Sequence, residues 1–497
     1  MRAISKYAGA VAMAVVALVG CCPGAGAERL DLTLDEAITR ARVSSVEAAV
    51  ALDELKSAYW EYRTYRADLL PELTFRGTVP SYRKQYGTYM DAGGAYTFVP
   101  NDYLQLSGEL GLTQNIWLTG GRVSLITSLD YMRQLSGESY NRFLTIPVAL
   151  ALEQPLFATN RVKWSRRIEP VRYREARAAF LSATEDVAIK AIDLYFSLLM
   201  AGENLRIARQ NHGNATRLYE VAQEKRKMGR ISRNDLLQME LNVLEAASAL
   251  TDCESQWRNA MFGMTAFLDL PQDTEVVPEI PSILPSAAIP YQAAYEKALE
   301  NNRFAPSQLR RQLEAEYAVA QARGDMRQIN LFARVGFTGT SHGIGGAYRD
   351  LRDDRVVEVG FEIPLVDWGK RCGRVKVAES NRKVTESRLR QEAVTFSQDI
   401  FLLVERYSNQ QSQLHLSARA DTIASRRYDT NYQTYLIGGI STLDLNDSQV
   451  KKDEARRNYV SELYRFWLYY YQLRSITLWD FAKDAPIDAD IDRLVGE

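Results

Sequence analysis

"KRKMGRISRNDLLQME", Lys225 to Glu240, interrupts a long helical stretch at a glycine and restarts at once with Ser and Asp. "YLIGGISTLDLNDSQ", Tyr435 to Gln449, does the same. A shift of 209 superposes the two without a gap: Gly229 falls on Gly438, Ile231 on Ile440, Ser232 on Ser441, Asp235 on Asp444 and Leu236 on Leu445. Five identities in eight positions, in register, mark an internal duplication. Glycine admits the left-handed conformation that ends a helix, and a following Ser caps the next one. Each phrase therefore reads as the point where a helical hairpin reverses.

The stretch from Thr159 to Met228 holds a single proline, Pro170, and spaces its apolar residues by three and four. Some 70 residues of helix span roughly 100 Å, too long for a compact globule. A second helix returns from Ser232 to about Leu270, and the later copy repeats the pair over Arg371–Leu436 and Ser441–Asp480. The opening segment, Leu32 to about Leu70, reads as one helix capped by Thr33 and stopped by Pro71; "YQAAYEKALENNR" (Tyr291–Arg303) opens the second copy in the same way. The Pro-rich linker Leu270–Pro290 divides the repeats, giving 28–280 and 281–482, with a tail over 483–497.

Inside each repeat the period changes to two. "ELTFRGTV", "YLQLSGELGLTQ" and "TIPVALALEQPL" alternate apolar with polar residues, the last placing Ile146, Val148, Leu150 and Leu152 together. "INLFARVGFTGT" and "RVVEVGFEIPLVDWG" do so in the second repeat, where Val357, Val359, Phe361 and Ile363 share a face opposite Glu358 and Glu362. These are strands with one apolar face. The first repeat has an extra turn, "WLTGGR" (Trp117–Arg122), and a further strand, "VSLITSL". Whether that extra hairpin widens the sheet or projects from it stays open in the sequence.

Composition narrows the function. The chain is 46% hydrophobic and 25% charged with net charge −1, which excludes the basic surface that nucleic-acid binding needs. His212, His342 and His415 are too scattered for a metal centre, and no nucleotide-binding loop or catalytic constellation can be assembled, so neither an enzyme nor a cofactor is expected. Cys253 and Cys372 read as buried free thiols. Arg2 and Lys6 precede a short apolar run, Ala8–Gly20, which reads as a secretory signal. Two processing sites stand open: "LVGC", which would acylate Cys21 and leave residues 1–20 behind, and "AGA", which would remove residues 1–27. Apolar-faced strands in an exported chain are satisfied by a closed barrel in an outer membrane, and so few strands need several copies to close one.

This layout resembles the TolC-like outer-membrane efflux protein family. The resemblance rests on "LTLDEAITRA", on the strand ends "QPLF" and "IPLVDWGKR", and on the two G-x-x-S-x-x-D turns, in this order and duplicated. It implies a mainly α fold with membrane β: long antiparallel helical hairpins forming a periplasmic tunnel, and strands given to one barrel shared by a homotrimer in outer-membrane lipid. It implies a passive duct of a tripartite efflux pump or type I secretion system, working with a periplasmic adaptor and an inner-membrane transporter. The alternative is a structural coiled-coil or adaptor-like protein of the cell envelope. The resemblance maps a gate ring of carboxylates onto Asp444 and Asp447, with Tyr435 and Asp235 as neighbours. It maps the adaptor-docking turns onto Gly229, Ile231 and Ser232 and onto Gly438, Gly439, Ile440 and Ser441. Ile440 stands where some members carry a gate arginine. A Ser or Asp after such a glycine also serves as a plain helix cap.

Overall fold

The computed structural model describes residues 29–496 except 91–92, 136–139, 230, 283–284, 286–287, 327, 363–365, 437–438 and 441. Cys21, Gly438, Ser441 and Ile363 thus lie outside the described residues. The first repeat runs β1 (Arg29–Leu32), α1 (Leu34–Ser44), α2 (Val46–Ala67), β2 (Glu72–Met90), β3 (Tyr96–Asn115), β4 (Arg122–Gln134), β5 (Asn141–Pro155), α3 (Arg161–Lys227), α4 (Arg233–Phe267) and β6 (Glu275–Pro278). The second runs α5 (Tyr291–Asn301), α6 (Phe304–Gly324), β7 (Gln328–Ser341), α7 (Ile344–Ala347), β8 (Leu351–Glu362), α8 (Lys370–Leu436) and α9 (Thr442–Thr477). The tail adds β9 (Trp479–Asp480), β10 (Ala485–Pro486) and α10 (Ile491–Gly496).

The duplication holds to the residue in the long helices. α3 and α8 are each 67 residues long, and both ends of one map onto the other with the shift of 209. α4 and α9 begin at the same shift. The opening helices α1 and α5, each 11 residues, instead begin 257 apart. Between them and the long helices the first repeat therefore carries 48 more residues, the length of β2, β3 and their turns.

Chain contacts resolve two compact units that cut across the repeats: among the described residues one holds 29–52, 181–301 and 399–489, the other 53–180, 302–398 and 490–496. The second unit contains a six-stranded sheet in the order β2-β3-β4-β5-β7-β8, antiparallel throughout. Residues paired across neighbouring strands share a face, so the register assigns every side. One face collects Leu73 and Phe75 of β2, Leu110 and Leu112 of β3, and Leu125 of β4. It continues through Leu150 and Leu152 of β5, Val335 of β7 and Val357, Val359 and Phe361 of β8. The other face is polar and carries the pairs Arg76–Glu109 at 3.3 Å, Arg122–Glu153 at 2.5 Å and Arg334–Asp354 at 3.0 Å. Ile146 does not join the apolar face. A bulge between Thr145 and Val148 turns it to the polar side opposite Ser128, at Pro147, which has no N–H to give the ladder.

The β3–β4 turn is closed by Gly120, at φ +76°, whose N–H donates to the Ile116 carbonyl at 2.8 Å. Asn160 holds that turn to the start of α3. Its amide donates to Trp117 O at 2.8 Å while its carbonyl oxygen caps Lys163 N at 2.9 Å. Deeper in this unit, Ile168 and Val171 of α3 pack on Leu313 of α6, and Arg310 reaches Glu175 at 2.6 Å.

The other unit is helical around the middle of α3, where Ala188, Ala191, Ile192, Tyr195 and Leu198 are buried at spacings of three and four. β1 pairs in parallel with β6, a pairing the sequence does not announce because both are four-residue strands, one in the linker and one just after the leader. Tyr195 fastens them: its hydroxyl lies 2.9 Å from Leu32 O and 2.5 Å from Glu279 O. The opening segment is two helices, not one. Ser45 is extended at ψ 147° and its hydroxyl accepts Ala48 N–H at 3.2 Å, so a side-chain cap breaks the helix in mid-segment. In the other unit, Asn302 makes the equivalent break, accepting Phe304 N–H at 2.9 Å. Fully buried Glu185 accepts from Arg42 and, at 3.1 Å, from Arg474, which also reaches Asp480 at 2.8 Å. The aromatic run after Tyr464 is core, with Phe466, Trp467, Tyr470 and Tyr471 buried. The thiols depart from expectation: Cys253 is half-buried, and Cys372 is exposed at the start of α8.

Candidate gate at the helix reversals

The first reversal is built from its own residues. Gly229 sits at φ +71° and donates to Arg226 O at 2.9 Å, ending α3 in the left-handed conformation that a Cβ would strain. Ser232 then caps α4 reciprocally. Its hydroxyl accepts Asp235 N–H at 3.1 Å, and the Asp235 carboxylate accepts Ser232 N–H at 3.1 Å. Arg226 donates to Ile231 O at 3.0 Å and spans the turn. Asp235 is therefore engaged in a capping box.

At the second reversal, exposed Gly439 donates to Thr434 O at 2.9 Å, closing the end of α8. Tyr435 and Ile440 are half-buried. Asp444 lies exposed in the first turn of α9, where a carboxylate suits the helix dipole. Asp447, one turn on, is not a cap. Its Oδ2 accepts from Arg427 of α8 at 2.8 Å, with both side chains about half exposed. Arg427 is a cation beside Asp447 that the sequence did not point to. It stands 20 residues before its partner, a spacing that only the antiparallel packing of α8 on α9 converts into contact. Lys451 follows four residues after Asp447, and its pKa is raised by its bond to Glu454, with Asp447 adding to it.

Beside the turns a polar ladder joins α3, α8 and α9. Asn211 donates to Asp453 at 3.0 Å and accepts from Gln449 at 2.5 Å, while Lys452 lies 4.1 Å over the Tyr428 ring. Arg456 reaches Glu203 of α3 at 3.4 Å and Asp421 of α8 at 3.3 Å. Burial pushes Glu203 up, but hydrogen bonds from Arg206 and Arg456 outweigh it and hold the carboxyl below its usual range. Beside the ladder α3, α4 and α9 enclose a cavity of about 590 Å³ lined by Asn204, Asn211, Asn242, Asn446 and Asp453. These hydrogen bonds and ion pairs lie beside buried Leu205, Ile207, Ala208 and Leu445 and fix how the helices meet.

Residues 37–268 match the family model described as outer membrane efflux protein. No curated protein matches in sequence. Among solved structures the chain is similar to the CmeC outer membrane channel of Campylobacter jejuni, at 14% identity and TM-score 0.64 over 93% of this chain and 88% of that one. It is also similar to the outer membrane protein VceC of Vibrio cholerae, at 14% and 0.61, covering 92% and 97%. The open state of the MtrE outer membrane channel of Neisseria gonorrhoeae follows at 14% and 0.59, covering 92% and 91%. The family-model match falls on the first repeat, and the likeness of fold to these channels extends across both.

Proposed function

We propose that this chain is the outer-membrane channel component of an efflux or secretion system, a passive trimeric duct fed by an inner-membrane transporter through a periplasmic adaptor. The observation that carries this reading is the sheet, with a band of apolar residues for lipid on one face, bordered on β8 by the Arg355–Asp353 pair, and an ion-paired face for a lumen. That sheet is joined to two hairpins whose 67-residue helices match end for end. A structural coiled coil has no use for such a sheet.

Within the duct, Asp444 and Asp447 form the carboxylate ring of the periplasmic mouth, with Tyr435 and Asp235 beside it. Arg427 moderates the ring by pairing with Asp447 inside each copy. The turns at Gly229, Ile231 and Ser232 and at Gly438, Gly439, Ile440 and Ser441 receive the adaptor. Energy comes from the transporter, and the duct itself performs no chemistry. The test is purification from outer-membrane fractions: a heat-modifiable particle with the mass of three chains, opening as a channel in planar bilayers, is expected. A monodisperse monomer in mild detergent would overturn the reading.

A further inference from the structure

We infer that the barrel formed by this chain has eighteen strands, six from each of three copies, with β2 of one copy paired to β8 of the next. The count of three copies rests on the function proposed above; the count of six strands rests on the sheet itself.

The extra 48 residues of the first repeat are not an appendage beside the sheet. β3 is paired to β4 along thirteen positions, from Tyr103–Gln134 down to Asn115–Arg122, and β2 to β3 from Glu72–Thr113 upward. Below a bulge between Thr78 and Ser81, both faces run through the added hairpin in phase with the rest of the sheet. Leu73, Phe75, Leu110 and Leu112 extend the apolar face, and Arg76 and Glu109 extend the polar one with an ion pair of the same kind as Arg122–Glu153. A hairpin folded over a lumen or against solvent would have no reason to keep a lipid-type face in register with its neighbours. Only its upper part, from Lys84–Asp102 to Met90–Tyr96, continues beyond the end of β4 at Gln134. The hairpin thus supplies two staves and a projection.

The two edges fit one another. Among the described residues β2 pairs only with β3, and β8 only with β7. These edge strands are long, 19 and 12 residues, and expose Phe75 (75%) and Phe361 (71%) on the same face. Such edges invite pairing with another chain. β2 leaves α2 and β8 returns to α8, so the edges run in opposite directions, as every other pair in this sheet does. A second copy of the chain is the occupant that matches direction, face and chemistry at once, head to tail, and such a contact closes into a ring. With strands about 4.8 Å apart and tilted about 40°, eighteen close a ring about 36 Å across, against about 24 Å for twelve. Two equal repeats of two strands each would have given the narrower one.

Disulfide trapping tests this in a background lacking the other cysteines of the exported chain. Thr74, Arg76 or Thr78 is paired with Val356, Glu358 or Gly360, each replaced by Cys, all on the polar face. At least one pair is expected to give a reducible, covalently closed species of three chains, and top views in electron microscopy should show the wider ring. The same β8 positions paired with Ser124→Cys or Ser128→Cys of β4 should give none. A particle of three chains that cross-links β4 to β8, or no β2 position to β8, with a ring near the narrower diameter, would overturn the strand count while leaving the proposed function standing. A native mass other than three chains would overturn both.

Discussion

Replacing Asp444 and Asp447 together by Ala separates the electrostatics of the second reversal from its folding. Asp447 and Arg427 are each about half exposed, so their pair contributes about 0.2–1 kcal/mol. Asp444 stands in the first turn of α9, where the helix dipole is worth about 0.3–1 kcal/mol. The double variant should therefore lose no more than about 2 kcal/mol per chain and still assemble, since neither side chain supports the core. The electrical consequence is larger. In the proposed trimer, two carboxylates per copy would place six in one ring, and screening over about 8 Å at physiological salt would confine their field to that mouth. Planar-bilayer recording across a KCl gradient should show the reversal potential move towards zero. Block by a trivalent cation should weaken by about tenfold or more, as loss of about 1.4 kcal/mol of binding requires. Arg427→Ala should act in the opposite sense, because it leaves Asp447 uncompensated. Unchanged selectivity and block in a correctly assembled double variant would refute the ring and leave the two aspartates as helix-start residues outside the lumen.

Other outcomes follow from the same geometry. Gly229→Ala should cost about 1–2 kcal/mol at the first turn, and Gly229→Asn less, because φ is +71° there; hydrogen exchange of the turn amides reads the difference. Glu185→Ala should lower thermal stability by about 3–5 kcal/mol by leaving Arg474 buried without one of its carboxylates, and a melt of the detergent-solubilised protein checks it. Val359→Arg puts a cation on the lipid face and should cost about 2–4 kcal/mol near the bilayer midplane, abolishing trimer on heat-modifiability gels, whereas Glu358→Gln on the other face should assemble. Glu203 and Asp480 both lie below the usual carboxylate range: burial raises each, but arginine bonds to Glu203, and the Tyr470 bond and Arg474 charge at Asp480, prevail. Their contribution is complete above the ordinary carboxylate pKa and is lost as pH falls through the depressed folded values, so melts should drop steeply below about pH 4. Glu203→Gln should flatten that drop.

What could be read in the residues was whatever repeats along the chain. The period of three and four in Thr159–Met228 fixed a long helix, and the structure places it at Arg161–Lys227. The shift of 209 between two turn phrases predicted a second helix that matches it end for end. Alternation in "ELTFRGTV" and "RVVEVGFE" predicted faces that the register assigns as expected. Failures came where a single contact decides. Ser45 breaks a helix that its neighbours would continue, because its hydroxyl offers a competing acceptor. Pro147 sits at the bulge that turns Ile146 to the other face, and no alternation rule registers an added residue.

The sequence by itself determined the duplication, the helices, the two-faced strands and the glycine reversals, because periodicity and backbone conformation are local properties of the chain. Tertiary structure alone decided that Arg427 meets Asp447, that Tyr195 fastens β1 to β6, and that the added hairpin continues the sheet in register. Those facts join residues 20 to more than 160 positions apart or strands whose partner is chosen by competition. Such choices are settled by which packing buries the apolar face and pairs the charges at once, a sum over the whole fold that no window of sequence contains.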